Sequence, residues 1–326
     1  MFNLQILFCA VLSSFVWMTS LQAQKDIDFK YYRAAMQAKA KGDHENASKD
    51  FSIFIGYYPD YAKAYYFRGY TYVYLKQFDK AREDFAEYRK RMPNDVEGVY
   101  SAGRAEYEAG EYEQAINHFS EALDIDPYHI PSWNDRGMSY CKMDQFDEGL
   151  DNFYEAIRYD STFAMAYVNA GAARYFRQDI ANPVKKDLEI AKDWFTQAIA
   201  IQPGLYLAYY NRAAVNYFLE AYPEALADLD KALRLNPMNA WTYFYQGVVY
   251  AAMGNAGRAR SEYRKAVQLD PNLYYVYEEQ ARLSMNAESF AEAIEYYRQA
   301  KQFNDKDNDL HDGLMELRIA EAYAHM

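Results

Sequence analysis

Cysteine and histidine are scarce in this chain. Of its 326 residues, 2 are cysteine and 5 are histidine. Cys9 lies in an apolar stretch near the N-terminus, which leaves Cys141 as the only cysteine of the remainder. A single thiol cannot close an intrachain disulfide, so core packing must supply the stability. The histidines lack the spacing of metal ligands, and we expect no metal site.

Basic residues and catalytic motifs are also lacking. The chain has 35 Lys and Arg against 47 Asp and Glu, a net charge of −12. Proteins that bind nucleic acid need clustered positive charge, so this class of partner is excluded. There is no glycine-rich phosphate loop, no His-Glu-x-x-His, no Cys-x-x-Cys and no Gly-x-Ser-x-Gly. We therefore expect a protein that is not an enzyme and has no cofactor.

The first 24 residues carry no charge. The apolar stretch from Ile6 to Met18 has the length of a signal-peptide core and is short for a membrane span. We predict a signal peptide over residues 1–23, cleaved after Ala23, and no transmembrane segment in the mature chain. This predicts export to the periplasm or cell surface of a Gram-negative-type bacterium. A short membrane anchor is the alternative, because no Lys or Arg precedes the apolar core.

Prolines recur 34 residues apart, with one longer step between the third and the fourth. They are Pro59, Pro93, Pro127, Pro203, Pro237 and Pro271. A fixed period of this length indicates stacked helical hairpins.

Two series of small residues mark the two helices of each hairpin. The second helix carries a small residue four positions before an aromatic residue or leucine, as in Ala47 with Phe51. The first helix carries the series Ala35, Gly69, Gly103, Gly137, Gly171, Ala213, Gly247 and Ala281. Because glycine inside a helix costs about 1 kcal/mol relative to alanine, we expect the paired helices to approach closely there.

Glycine and proline mark the ends of the helices in these hairpins. Gly42, Gly110 and Gly254 stand between the two helices, where a left-handed residue commonly ends a helix. Asp126-Pro127 and Asn236-Pro237 end second helices, because the residue before proline avoids helical geometry.

These segments resemble tetratricopeptide repeats, whose pattern is Trp, Leu-Gly, Tyr, then Ala-x-x-x-Phe and Pro. The resemblance covers eight repeats over residues 28–305. It implies an all-α fold, a right-handed α-solenoid of about eight helix-turn-helix hairpins. The fifth repeat carries eight extra residues near 177–192, for which we predict an extended turn around Asp179 to Pro183 and a longer second helix. Residues 306–326 are predicted to form a C-terminal capping helix, with Leu310, Leu314 and Leu317 on its inward face.

Some positions depart from the family pattern. The Leu position is held by Arg68, Arg136 and Arg212 in the second, fourth and sixth repeats, and by Ala or Gln elsewhere. Ser161 and Asp305 replace the terminal proline in the fourth and eighth repeats. We expect these departures to loosen individual turns without disturbing the fold.

The resemblance also implies a concave groove lined by the first helices. Of the 32 positions that would face it, 12 are aromatic, and the fourth to seventh repeats place no charged residue there. Asn169 and Asn211 occupy equivalent positions, as in family members that hold a peptide backbone with asparagines. The predicted binding residues are Tyr66, Tyr70, Tyr100, Tyr107, Asn169, Tyr175, Tyr210, Asn211, Tyr217, Trp241, Phe244 and Tyr275.

An uncharged, aromatic groove is suited to a peptide or protein segment. The leading hypothesis is therefore an exported scaffold for protein-protein interaction. The alternatives are a carbohydrate- or small-ligand-binding protein, since aromatic rings also stack on sugars, and a structural subunit of an envelope assembly or secretion complex. A further alternative is that the array buries these aromatic side chains within itself.

Overall fold

The computed structural model describes residues 29–177, 184–303 and 309–325, and over these ranges the chain forms 17 helices and no strand. The chain divides into two compact units between Tyr159 and Asp160. Unit 1 contains α1 (29–40), α2 (His44–Tyr57), α3 (Ala62–Tyr74), α4 (Phe78–Arg91), α5 (Val96–Ala109), α6 (Tyr112–Ile125), α7 (Ile130–Lys142) and α8 (Phe146–Tyr159). Unit 2 contains α9 (Ala164–Phe176), α10 (Lys185–Ile201), α11 (Tyr206–Phe218), α12 (Tyr222–Leu235), α13 (Ala240–Ala252), α14 (Ala256–Leu269), α15 (Tyr274–Asn286), α16 (Phe290–Phe303) and α17 (Asp309–Ala324).

Within each unit the helices form successive hairpins. In unit 1, for example, α3 packs against α4 and α5 against α6, while α4 also packs against α5. The predicted fold class, an all-α solenoid of helical hairpins, is confirmed. The predicted signal peptide lies outside the described residues. None of the described helices is both long enough and apolar enough to span a bilayer.

The glycines of the first helices sit where an aromatic ring of the second helix presses on the backbone. A Cβ atom added to Gly69 would lie 2.9 Å from the ring of Phe85, and one added to Gly247 would lie 2.3 Å from the ring of Tyr263. Gly103, Gly137 and Gly171 meet a phenylalanine ring in the same way, at 2.7 to 2.8 Å. The expected close approach is thus confirmed, and buried aromatic area offsets the helix propensity lost to glycine.

In each of the seven hairpins whose turn is described, a left-handed residue lies between the paired helices. Gly42, Gly110 and Gly254 have φ of 77°, 85° and 75°, as predicted. The second, fourth, sixth and eighth turns hold this conformation without glycine, at Lys76, Asp144, Glu220 and Glu288. A left-handed conformation costs an L-residue roughly 1–2 kcal/mol, so packing of the flanking helices must impose it.

The arginines at the Leu position do not loosen their repeats, and that expectation was wrong. Arg68 of α3 donates two hydrogen bonds to Asp84 of α4, at 2.8 and 2.6 Å, and a third to Ser52 of α2, at 3.0 Å. Arg136 and Arg212 each bond residues 16 positions before and after them in the same manner. Each guanidinium therefore ties together three consecutive helices.

The fifth hairpin has a longer second helix, as predicted. Helix α10 spans 17 residues, whereas α8 and α12 span 14. Arg174 of α9 pairs with Asp187 of α10, with Nε 2.9 Å from Oδ1. The predicted extended turn over Asp179 to Pro183 lies outside the described residues.

The C-terminal helix α17 turns a different face inward from the one we predicted. Met315 and Ala322 are buried, and Met315 packs with Tyr297 of α16. Leu314 and Leu317 are exposed. The side chain of Leu310 is outside the described residues. Two apolar stripes run along this helix, and Met315 fits the space beside Tyr297, so the leucine stripe faces solvent.

Candidate functional site: an aromatic surface on unit 2

The predicted groove residues of unit 1 bond to one another from repeat to repeat. The hydroxyl of Tyr66 donates to Glu97 at 3.4 Å, and that of Tyr70 lies 2.8 Å from the hydroxyl of Ser101. The hydroxyl of Tyr100 donates to Asp135 at 2.8 Å. We call these three tyrosines the unit-1 tyrosine ladder.

The ladder joins α3 to α5 and α5 to α7. Arg104 reinforces it, because its Nη1 donates to the same Asp135 oxygen at 3.2 Å. Burial raises the pKa of Tyr100 and the nearby Asp135 carboxylate raises it further, so this hydroxyl stays a donor at neutral pH. In unit 1 these three tyrosines therefore make contacts between repeats. Tyr107 packs edge-on against Tyr112, at 5.5 Å between ring centroids.

In unit 2 the predicted aromatic residues converge from consecutive first helices. The rings of Tyr210 of α11 and Tyr245 of α13 meet, with their centroids 5.3 Å apart. Trp241 of α13 meets Tyr275 of α15 at 5.4 Å. The unit-2 aromatic surface consists of Tyr175, Tyr210, Tyr217, Trp241, Tyr245 and Tyr275.

The side chains of this surface differ in solvent exposure. Trp241 is 38% exposed and Tyr275 is 40% exposed, and their rings contact each other. Tyr175, Tyr210, Tyr217 and Tyr245 are half-buried.

Phe244 does not belong to the surface, and its prediction as a partly exposed binding residue was wrong. It is 8% exposed and packs at 6.0 Å from the ring of Tyr263, within the core of α13 and α14. From there it supports Trp241, whose ring stands perpendicular to it at 5.7 Å. Asn169 and Asn211 lie half-buried on α9 and α11.

Tyr245 was missed, although the sequence contains a signal for it. It stands two residues after the Tyr position of its repeat, as Asn169 and Asn211 do in theirs. In the structure it points into the same surface as the neighbouring tyrosines, because Tyr175 and Tyr210 both interact with Tyr245.

The surface carries no formal charge, and its charged boundary lies on α15. There Arg282 Nε donates to Glu279 at 3.1 Å, and Glu279 accepts a long hydrogen bond from Tyr263 at 3.5 Å. Burial raises the pKa of Tyr217, and Arg282 partly opposes that shift. The ion pair therefore adjoins Tyr217 at one edge of the surface.

Groups suited to metal or nucleophilic chemistry do not accompany the surface. Within the described ranges, no cluster of three or more His, Cys, Asp or Glu could hold a metal ion. Burial raises the pKa of the Cys141 thiol to about 12, which makes it a poor nucleophile at neutral pH. Cys141 also packs on Gly149, where an added Cβ would lie 2.4 Å from its sulfur.

Comparison with known proteins identifies the repeats. Tetratricopeptide repeat models match residues 68–130 and 240–273, and a TPR repeat model matches residues 217–254. The Hsp70-Hsp90 organizing protein of Triticum aestivum is 36% identical over 84 residues, which are 26% of this chain and 14% of that protein. DnaJ homolog subfamily C member 7 of Mus musculus is 31% identical over 99 residues, 30% of this chain and 20% of that protein. The chain thus spans a small part of the length of these relatives.

Solved structures agree on the fold. A tetratricopeptide repeat protein from Parabacteroides merdae superposes with a TM-score of 0.60, at 17% identity, over 79% of this chain and 98% of its own. A chain of the APC/C hetero-tetramer Cut9-Hcn1 superposes with a TM-score of 0.64, at 14% identity, over 86% of this chain and 52% of its own. At such identities the likeness concerns the fold alone. The chain carries tetratricopeptide repeats, and such repeats generally mediate protein-protein interaction.

Proposed function

We propose that this chain, as a carrier of tetratricopeptide repeats, is an exported scaffold that holds a segment of another protein on the unit-2 aromatic surface. The observation that carries the proposal is the contact between exposed Trp241 and exposed Tyr275, at the end of the uncharged fourth to seventh repeats. Tyrosine and tryptophan are the residues most enriched among energetic anchors of protein interfaces. Their rings are also pre-positioned by Phe244, so little side-chain entropy is lost on binding.

The proposal gives the two units different roles. In unit 1 the tyrosine hydroxyls are used between repeats, which stiffens the array. In unit 2 the exposed rings of Trp241 and Tyr275 contact each other and remain accessible to a partner. Unit 2 is therefore the binding part.

Site-specific photo-cross-linking in cells tests this function. A photoreactive phenylalanine analogue in place of Tyr275 should give a covalent adduct with a discrete protein. The same analogue in place of Tyr128, a 70% exposed tyrosine of unit 1, is the matched control. Adducts at both positions, or at neither, would contradict a partner site on unit 2.

A carbohydrate ligand is the second candidate, because the Glu279–Arg282 pair places polar groups beside Tyr217. A glycan array probed with the wild-type chain and with a Trp241→Ala variant separates the two candidates. Glycan binding that depends on Trp241, without a protein adduct at position 275, would favour a carbohydrate ligand.

Export is the part of the proposal that rests on residues 1–23. The chain isolated from the envelope fraction should begin at or near Gln24. N-terminal sequencing that found Met1 intact in the cytosol would contradict export and leave the binding surface unaffected.

A further inference from the structure

The arginines that tie three helices together in the second, fourth and sixth repeats use the same three positions each time. A residue with a hydroxyl stands 16 positions before the arginine, and one with a carboxylate or amide stands 16 positions after it. These sets are Ser52, Arg68 and Asp84, then Ser120, Arg136 and Asn152, then Thr196, Arg212 and Asp228. In each set the arginine bonds both of the other side chains.

The eighth repeat has different residues at these three positions. Arg264 of α14 replaces the hydroxyl, Gln280 of α15 replaces the arginine, and Tyr296 of α16 replaces the carboxylate or amide. Within the part of the chain that the structure describes, none of these three side chains makes a hydrogen bond or an ion pair. The eighth repeat therefore has an arginine at the site of the tie and lacks the acid that would pair with it.

A cavity of about 360 Å³ lies at these positions. Arg264, Gln280 and Tyr296 line it, together with Val267 and the ring of Tyr277. Its size falls within the range of about 300–1,000 Å³ that small ligands occupy, and such sites commonly combine aromatic walls with a few polar groups. Because Arg264 is exposed, a ligand can reach its guanidinium from solvent.

The charged groups around the cavity leave one positive charge in excess. Two arginines, Arg260 and Arg264, and one carboxylate, Glu292, line the cavity. Both Glu292 oxygens already accept hydrogen bonds from Arg260, at 2.8 and 3.1 Å, and one accepts a further bond from Ser284 at 2.7 Å. The charge of Arg264 is therefore the one left to a ligand.

A carboxylate is the ligand group that these residues match. The planar donors of a guanidinium fit the two oxygens of a carboxylate. In the second and sixth repeats the arginine does bond a carboxylate, that of Asp84 or Asp228. Gln280 and Tyr296 can donate to the same group through their amide and hydroxyl. A phosphate, which carries more charge, would be repelled by the nearby Glu292 carboxylate.

We propose that this cavity binds a carboxylate supplied from outside the chain, either by an organic acid or by an acidic side chain of another polypeptide. The carboxylate accepts hydrogen bonds from Arg264, Gln280 and Tyr296, and the apolar part of the ligand packs on the rings of Tyr277 and Tyr296. This site goes beyond the proposed function. Gln280 stands five residues after Tyr275, so at 3.6 residues per turn it projects from another side of α15 than the unit-2 aromatic surface.

Ligand-observed NMR titration of the full chain with benzoate tests the proposal. Benzamide has the same ring without the charge and is the matched probe. We expect saturable binding of benzoate, and binding of benzamide that is at least about tenfold weaker, the effect of one charge-assisted hydrogen bond. A blocked Gly-Glu-Gly peptide distinguishes the two sources. Tighter binding of the peptide than of benzoate indicates an acidic polypeptide, and the reverse order indicates an organic acid.

Arg264→Gln should weaken benzoate binding at least about tenfold, because it removes the charged donor. The side chain of Arg264 is exposed, so the melting temperature should stay close to that of the wild type. The matched control is Arg258→Gln on the same helix. Arg258 is also exposed and lies over the ring of Tyr250, at 5.4 Å from its centroid. This variant should bind benzoate as the wild type does.

The proposal would be overturned if neither benzoate nor the glutamyl peptide bound saturably. Equal affinity for benzoate and benzamide would also overturn it, as would tighter binding of inorganic phosphate or wild-type affinity of Arg264→Gln. The cross-link at position 275 tests the unit-2 aromatic surface separately, because Trp241 and Tyr275 do not line this cavity.

Discussion

Arg212 and Asp228 form a two-point ion pair that joins α11 to α12, with nitrogen–oxygen distances of 2.9 and 2.7 Å. The Asp228 side chain is 8% exposed, and the same guanidinium reaches Thr196 of α10 at 3.1 Å. A position usually held by leucine in this repeat family thus carries a buried charge whose partners lie 16 residues away on either side.

Arg212→Ala should destabilise unit 2 by about 3–5 kcal/mol, because it leaves the buried Asp228 carboxylate unpaired. Replacing both partners by leucine should recover most of that loss, since apolar packing can substitute for a buried pair. The control is Arg158→Ala, which removes an exposed ion pair with Glu155 and should change stability by less than about 1 kcal/mol. Urea denaturation measures all three. Equal losses in Arg212→Ala and Arg158→Ala would mean that the buried pair has no special role.

Gly171→Ala should destabilise the fifth hairpin by about 1–3 kcal/mol, the usual cost of overpacking. The added Cβ would lie 2.8 Å from the ring of Phe195, which is fully buried and cannot move aside cheaply. Gly56→Ala on α2 is the matched control, because no neighbouring atom lies within 4 Å of its added Cβ. That variant should be neutral or stabilising by up to about 1 kcal/mol. Thermal melts with the same sign for both variants would contradict the packing account.

Alkaline pH should unfold unit 2 through its tyrosines. Burial raises the folded-state pKa of Tyr175 and Tyr210 above the value of about 10 that tyrosine has in an unfolded chain. The unfolded chain therefore loses these protons first as the pH rises. Stability is fully present below about pH 10 and falls above it, by up to about 1.4 kcal/mol per pH unit for each such tyrosine.

Phenolate absorbance and circular dichroism recorded together measure this transition. The buried tyrosines should ionise as the helices unfold. Tyr175→Phe removes one of the raised pKa values and should move the unfolding midpoint to higher pH. An unchanged midpoint, or full ionisation of the tyrosines in a folded chain, would contradict their burial.

The helical hairpins were predictable from the sequence because each repeat contains several residues that independently indicate a pair of packed helices. The glycine of the first helix and the aromatic residue of the second recur at a fixed spacing, as Gly69 and Phe85 do. Packing then places them in contact. A local pattern repeated eight times leaves little freedom for another fold.

The features that sequence reasoning missed depend on three-dimensional partners. The role of Arg212 requires Asp228 and Thr196 to converge from two other helices. The inward face of α17 is decided by the space beside Tyr297, because Met315 and Leu314 mark two competing apolar stripes.

The candidate site was predictable only in part, for the same reason. Aromatic enrichment located Trp241 and Tyr275, whereas the burial of Phe244 depends on its contact with Tyr263. Equivalent tyrosines also meet different residues of the next repeat. Tyr100 donates a hydrogen bond to Asp135, whereas Tyr210 packs against the ring of Tyr245.

The most direct test of the account is the double variant Trp241→Ala with Tyr275→Ala, titrated with the partner segment recovered from the cross-link at position 275. Buried aromatic anchors commonly contribute about 2 kcal/mol or more, so affinity should fall at least about thirtyfold. Because both rings are more than one-third exposed in the free chain, the melting temperature should fall only slightly. A Tyr128→Ala variant in unit 1 should bind as the wild type does. Unchanged affinity of the double variant, together with a large loss of melting temperature, would show that these rings stabilise the array and do not bind a partner.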